Sequence, residues 1–343
     1  MASPNSPQPA TWSKIVAPYQ KPDSRLAVGQ LLNTVPVYIL AWYLAYRSLE
    51  VSYLLTLGWC LLAAGMVVRI FIFQHDCGHG SFLPSKTLNN WVGFGCSLVT
   101  ATPYFAWRHD HAVHHATAGD LDHRGTGDIK TLTVAEYLAR SPRQQLLYRL
   151  YRHPFILFVI GPVVHFALLQ RFTGDLPDNA VRERRSIYLT NACLVVLYTA
   201  LGLAVGLKAL LLVQLPIMAL AASAGVWLFY VQHQFDEAYW VHQPDWDYTE
   251  VALQGSSYYK LPRLLQWFTG NIGFHHVHHL SPRIPNYRLE QCHRENAMFH
   301  QAKVMDLRDS LQTIPLALYD EEERRLISFR ELRSRREPLG LAA

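Results

Sequence analysis

The sequence predicts an all-α integral membrane protein of about four transmembrane helices, with interfacial helices and a cytoplasmic helical cap. Three observations carry that expectation. Only 17% of the 343 residues are charged, against about a quarter in an ordinary soluble domain, while half are hydrophobic. Several apolar runs approach the roughly 20 residues that a helix needs to cross a bilayer. Ten of the 17 histidines crowd into three short clusters beside those runs, at 75–79, 109–115 and 275–279, which the scattered histidines of an apolar core would not do.

Taken in order, residues 1–26 are polar and proline-rich, with no short apolar stretch ahead of a small-residue cleavage site, so no secretory signal is expected. Runs 28–46 and 51–73 are separated by little beyond Arg47 and Glu50 and read as a membrane hairpin. Arg69, near the end of the second run, is expected to snorkel to the interface. Segment 82–107 is apolar but broken by Pro84, Gly93, Gly95 and Pro103, so it should dip in and return or lie in the plane. Residues 116–152 are polar and should lie in water. Three further apolar runs follow at 153–172, 187–207 and 209–231, and a mostly polar remainder ends in a charged stretch, 320–336, expected to be a solvated helix. The domain plan is thus a cytoplasmic segment 1–27, a membrane domain 28–300 and a cytoplasmic tail 301–343. The five cysteines lack paired spacing and suggest neither a disulfide framework nor a zinc knot.

Clusters that share one site must lie on one side of the bilayer, so an even number of crossings separates each pair. Of the three later runs, two cross, and 153–172, which contains Pro162, His165, Gln170 and Arg171, is assigned to the interface. Four crossings then leave both termini on the histidine side. That side holds Lys14, Lys21, Arg25, Arg140, Arg143, Arg149, Arg182, Arg184 and Arg185, whereas the other has little beyond Arg47 and Lys208, which makes the histidine side cytoplasmic.

Four imidazoles within residues 275–279 are hard to justify as packing, because each brings ring nitrogens that need partners. On a helix, His275, His278 and His279 share about 100° of arc and His276 points elsewhere; His111, His114 and His115 repeat the spacing and His109 falls off that face. His75 and His79 form an i, i+4 pair, and His233 ends the last crossing at the same depth. Eight or nine histidines exceed the needs of one ion, so two metals are implied. Imidazole suits zinc, copper, iron and nickel alike. No His-Glu-x-x-His is present, and Asp76 and Asp110 read as carboxylates that orient neighbouring imidazoles. An O2-activating iron pair fits a site facing lipid, where C–H bonds are the available substrates.

The three boxes, with Asp122-His123-Arg124-Gly125-Thr126-Gly127-Asp128 and Ser281-Pro282-Arg283-Ile284-Pro285-Asn286-Tyr287, closely resemble the membrane fatty acid desaturases, particularly bacterial acyl-lipid desaturases, from about Trp12 to Phe329. The resemblance implies a cap holding a di-iron site ligated by His75, His79, His111, His114, His115, His233, His275, His278 and His279. It implies O2-dependent removal of two hydrogens from adjacent methylenes of an acyl chain carried on membrane lipid, with a cis double bond as product. No His-Pro-Gly-Gly of a fused haem carrier is present, so an external electron donor such as ferredoxin is expected. The membrane implied is the bacterial inner membrane, with the site facing the cytoplasm. The box spacing His75-x3-His79 matches the bacterial and plant branch. Phe82, Trp91, Phe105, Trp107, Trp267 and Phe274 are candidates to line an acyl tunnel.

Two rivals share parts of this pattern. A di-iron hydroxylase or ketolase of a lipid or carotenoid would use the same centre with a different fate for the substrate radical. A metal transporter would place ionisable residues inside its crossings, whereas runs 28–46, 187–207 and 209–231 contain no Asp, Glu or Arg and only Lys208 beside the last two.

Overall fold

The structure, a computed structural model, describes residues 9–336 apart from positions 175 and 178; the outer parts of the two terminal segments, 1–8 and 337–343, lie outside the described residues. Helix α1 (Pro9–Val16) leads through a 3-10 turn to α2 (Ser24–Ser48), whose first amides at Arg25 and Leu26 are capped by the Asp23 carboxylate. Helix α3 (Tyr53–His79) returns beside it, and the buried Ser48 and Thr56 hydroxyls meet at 3.0 Å where the hairpin turns. Helix α4 (Lys86–Thr100) has 15 residues, about 22 Å at 1.5 Å each, too short for a hydrocarbon core of about 30 Å. Both of its ends are held near the end of α3: Asn89 bonds the Leu83 backbone and Thr100 donates to Gln74. The segment therefore returns to the level it left, and α5 (Tyr104–Thr117) starts there, with Tyr104 donating to the Cys77 carbonyl.

The polar stretch holds β1 (Leu132–Thr133), α6 (Val134–Leu138) and α7 (Pro142–Tyr151), the two helices opened by capping boxes at Thr133/Glu136 and Ser141/Gln144. A π-turn at Ile156–Ile160 and α8 (Gly161–Ala167) follow, and the piece Ile156–Arg171 is bent by 58° from α7. Helices α9 (Val181–Val205) and α10 (Leu207–His233) form a second hairpin. The remainder is built of short pieces: α11 (Tyr248–Gln254), β2 (Tyr258–Tyr259), α12 (Arg263–Phe268), α13 (His275–Leu280), α14 (Asn286–Glu295), β3 (Val304–Met305), α15 (Leu307–Gln312), β4 (Leu316–Asp320), β5 (Arg325–Ser328) and α16 (Phe329–Arg336).

Four helices, α2, α3, α9 and α10, are long and apolar enough to cross a membrane. The bent pair would make a fifth only if it crossed as one span. Because the second and third histidine boxes come together in space, an even number of crossings must separate them, and α9 with α10 already supplies two. The 27-residue α3 and α10 extend about 40 Å, longer than the hydrocarbon, so their histidine-bearing last turns emerge from it. Helix α3 is the central strut, with 56% of its apolar window buried, against 17% for α2 and α9, whose outer faces are left for lipid.

Two sequence expectations are corrected. Arg69 does not snorkel: it is 3% exposed, donates to the Thr34 hydroxyl and the Trp267 carbonyl, and lies 4.2 Å from the Trp267 ring centroid. A guanidinium that finds these partners inside the protein has no need of the interface. Segment 320–336 is not one helix, because β4 and β5 pair as an antiparallel hairpin before α16 begins. Its apolar members, such as Leu326 and Ile327, are buried, and β1 joins β4 in parallel. With β2 paired to β3 as well, residues 304–328 are sewn into the mostly helical cap by two small sheets.

Candidate metal centre

The three boxes and the end of α10 meet at one place. His75 and His79 come from the last turns of α3, His111, His114 and His115 from α5, His233 from the last residue of α10, and His275, His278 and His279 from α13. They sort into two groups able to hold a metal ion: His75, His79, His111, His115 and His278, and then His114, His233, His275 and His279. Within each group one ligand atom per residue lies within 4.8 Å of all the others. The helical face chosen from the sequence is the face that turns inward. His109 is exposed and stands outside both groups, and His276 points from the back of α13 to His293, with Nε2 3.0 Å from its Nδ1.

The ring orientations follow from what holds the outer nitrogens. His75 Nδ1 donates to Asp76 Oδ1 at 3.0 Å, and Asp76 Oδ2 in turn accepts from the Asn286 backbone and side-chain amides at 2.6 and 2.8 Å. His114 Nδ1 donates to Asp128 Oδ1 at 2.6 Å, and His233 Nδ1 faces the Gly255 carbonyl at 3.3 Å. Each contact commits Nδ1 to a proton and leaves a lone pair on Nε2 directed inward. Asp76 was legible from its place beside His75. Asp128 was not assigned this role, since it lies 14 residues from His114 and is delivered by a turn in which Gly127 adopts φ 74 and packs so closely that a Cβ would lie 2.9 Å from the Asp110 carbonyl oxygen.

Inward, the nitrogens crowd one another. His278 Nε2 lies 3.0 Å from both His75 Nε2 and His115 Nε2, His115 Nε2 lies 3.1 Å from His111 Nε2, and His275 Nε2 lies 2.9 Å from His233 Nε2. The Nε2 atoms of His79, His114 and His279 are buried without a partner. Burial, and then the neighbouring imidazoles, hold His111, His115, His275, His278 and His279 well below the ordinary imidazole pKa, so they stay neutral, the form that ligates. Converging neutral lone pairs fit first-row transition-metal ions, and buried orphans of this kind make no sense as core packing.

Two cavities reach the groups. One of about 210 Å³ touches His79 and His111 beside Gly78, Trp107 and Ala112, and the Trp107 ring stacks on His111 at 4.6 Å. The other, about 430 Å³, touches His114 and His233. Of the six aromatics suggested as tunnel walls, Trp107 lies against the histidines. Phe82 stacks on Phe73, Trp267 on Arg69 and Phe274 on Tyr258, Phe105 lies under the Arg182 guanidinium, and Trp91 is exposed.

Fold and site together define a helical membrane protein that gathers two histidine clusters able to hold metal at the ends of its crossing helices. The sequence profile described as fatty acid desaturase matches residues 52–305. The chain is 47% identical over 321 residues to a Bacillus subtilis fatty acid desaturase, covering 94% of this chain and 91% of that one. Two Synechocystis proteins are more distant: an sn-1 oleoyl-lipid 12-desaturase, 27% identical over 73% of this chain and 69% of its own length, and an sn-1 acyl-lipid omega-3 desaturase described with ferredoxin, 26% identical over 68% and 64%. The chain belongs to the fatty acid desaturase family, and is an oxidoreductase.

Proposed function

We propose that this desaturase holds two iron ions on the nine histidines of its two groups and uses O2 to insert a cis double bond into acyl chains of membrane lipids, with electrons from a separate donor such as ferredoxin. The observation that carries the reading is the convergence of five and four imidazoles from distant parts of the chain. The iron pair, when bound, supplies an oxidant drawn from O2, which an unactivated methylene requires because it has no acidic proton for a side chain to remove.

The chain's own residues do the rest. Asp76 and Asp128 fix the inward aim of His75 and His114, and such partners raise the basicity of a ligating imidazole. The pocket at Gly78, Trp107 and Ala112 offers an acyl chain a narrow approach to the five-histidine group. The lipid-borne substrate and the ferredoxin partner are supported by the descriptions of the Synechocystis relatives. A cytoplasmic site in a bacterial inner membrane is supported by the excess of lysine and arginine on the histidine side, such as Arg182, Arg184 and Arg185 at the start of α9. The test is expression in a host lacking unsaturated acids: a new double bond at one position, seen by gas chromatography, with no oxygen retained in the lipid, is expected. An oxygenated product would assign the chain to hydroxylation instead.

A further inference from the structure

The two groups are approached through unlike openings. The smaller pocket is lined by a single formally charged side chain, Arg108, together with Gly78, Trp107, Ala112 and two of the histidines. The larger cavity carries four carboxylates, Asp120, Asp122, Asp128 and Glu136, against two cations, Arg124 and Lys130. Arg124 is paired with Glu136 and also meets the Leu121 and Thr131 carbonyls, while Asp120 faces His123 and Asp122 faces His242, and by formal charge the carboxylates of the lining outnumber its cations. At its inner end stands His114, 1% exposed, whose Nε2 has no partner. Its Nδ1 is held by Asp128, a carboxylate of the same wall.

We infer that this acidic cavity is the port through which divalent metal ions reach the centre, filling the four-histidine group directly and the five-histidine group by way of it. The inference rests on the reading that the histidines hold metal. A hydrated cation is drawn into a confined negative cavity, where low-dielectric walls focus the field, and is repelled from a pocket whose one charge is a guanidinium. It sheds water against carboxylate oxygens and is handed to imidazole, the stronger donor for this class of ion. The cavity, about 430 Å³, has room for an ion that still carries part of its hydration shell, since a single water takes about 30 Å³ of liquid. The carboxylates of the port need not remain ligands afterwards.

The test uses the full-length protein in detergent, stripped of metal by chelation and then reloaded with Co2+, with uptake followed by visible absorbance and final metal content by elemental analysis. In a Cys193→Ser background the remaining cysteines, 60, 77, 96 and 292, are buried. Lys130, exposed at the larger cavity, is changed to Cys and capped with a bulky maleimide; Ala112→Cys, in the smaller pocket, is treated alike. Capping at 130 is expected to slow Co2+ uptake by an order of magnitude or more while leaving two ions per chain at equilibrium, and capping at 112 to leave the rate unchanged. Asp122→Asn, and added salt on the unaltered protein, are expected to slow uptake several-fold, as screened steering requires. Equal rates with and without the cap at 130, or slowing at 112 alone, would overturn the port while sparing the metal centre. Failure of the uncapped protein to take up two ions at any time would overturn the metal centre itself.

Discussion

The five-histidine and four-histidine groups share α5 and α13 but are supported differently. The first draws His75 and His79 from the most buried membrane helix, and its carboxylate, Asp76, is locked by both amides of Asn286. The second draws His233 from the end of α10, and its supports, Asp128 and the Gly255 carbonyl, belong to polar segments of the cap. Five imidazoles leave little room at an ion, and four leave an additional position for an exogenous ligand on a six-coordinate metal. The five-histidine group is thus anchored to the membrane bundle, and the four-histidine group leans on polar segments of the cap.

Alanine at a ligand breaks this division most severely. His278→Ala is expected to empty the five-histidine group, His275→Ala the four-histidine group, and either to abolish double-bond formation, whereas His109→Ala and His276→Ala retain both irons. Iron content beside gas chromatography of the lipids checks this, and loss of iron from His276→Ala with retention in His275→Ala would refute the helical-face assignment. His233→Gln should leave the protein inserted and expressed but lower iron occupancy in the four-histidine group alone, because Gln keeps the hydrogen-bonding capacity and loses the imidazole. The supports come next. Asp76→Ala and Asp128→Ala are each expected to weaken metal binding about 10–100-fold at their own group, measured by competition with a chelator, and Asp76→Ala more so since it also strands the Asn286 amides.

Smaller effects sharpen the contrast between the approaches. A Cβ at Gly78 would lie 3.1 Å from the Trp107 ring, so Gly78→Val should push that ring and lower desaturation while both irons remain bound. Acidification should act on the metal-free cap. His276 is pushed down to about 3 and His293 to about 4, chiefly by burial, so the folded chain leaves both neutral where the unfolded chain, with ordinary imidazoles near 6.5, takes up protons. Stability is therefore full above about pH 6.5 and falls progressively below it towards those lower values, which thermal melts of the metal-free protein between pH 8 and pH 5 would record.

Much of this was legible because it is local. Apolar length marks α2, α3, α9 and α10, and the 100° step of the helix separates His278 and His279 from His276. Boxes that share one site require an even number of crossings between them. What escaped the sequence depends on partners far along the chain: Arg69 is satisfied by Trp267, Asp128 by His114, and Leu318 of β4 and Ile327 of β5 are buried against Leu132, Tyr137 and Tyr148. The charge of 320–336 concealed a hairpin, since Leu326 and Ile327 supply apolar burial that the flanking arginines and glutamates mask in composition.

The central claim, two irons on unequal histidine sets, is tested most directly by Mössbauer spectroscopy of protein loaded with 57Fe, alongside its iron content. Two irons per chain giving two quadrupole doublets of equal area are expected, with His275→Ala removing one doublet and sparing the other. A single iron per chain would contradict the account.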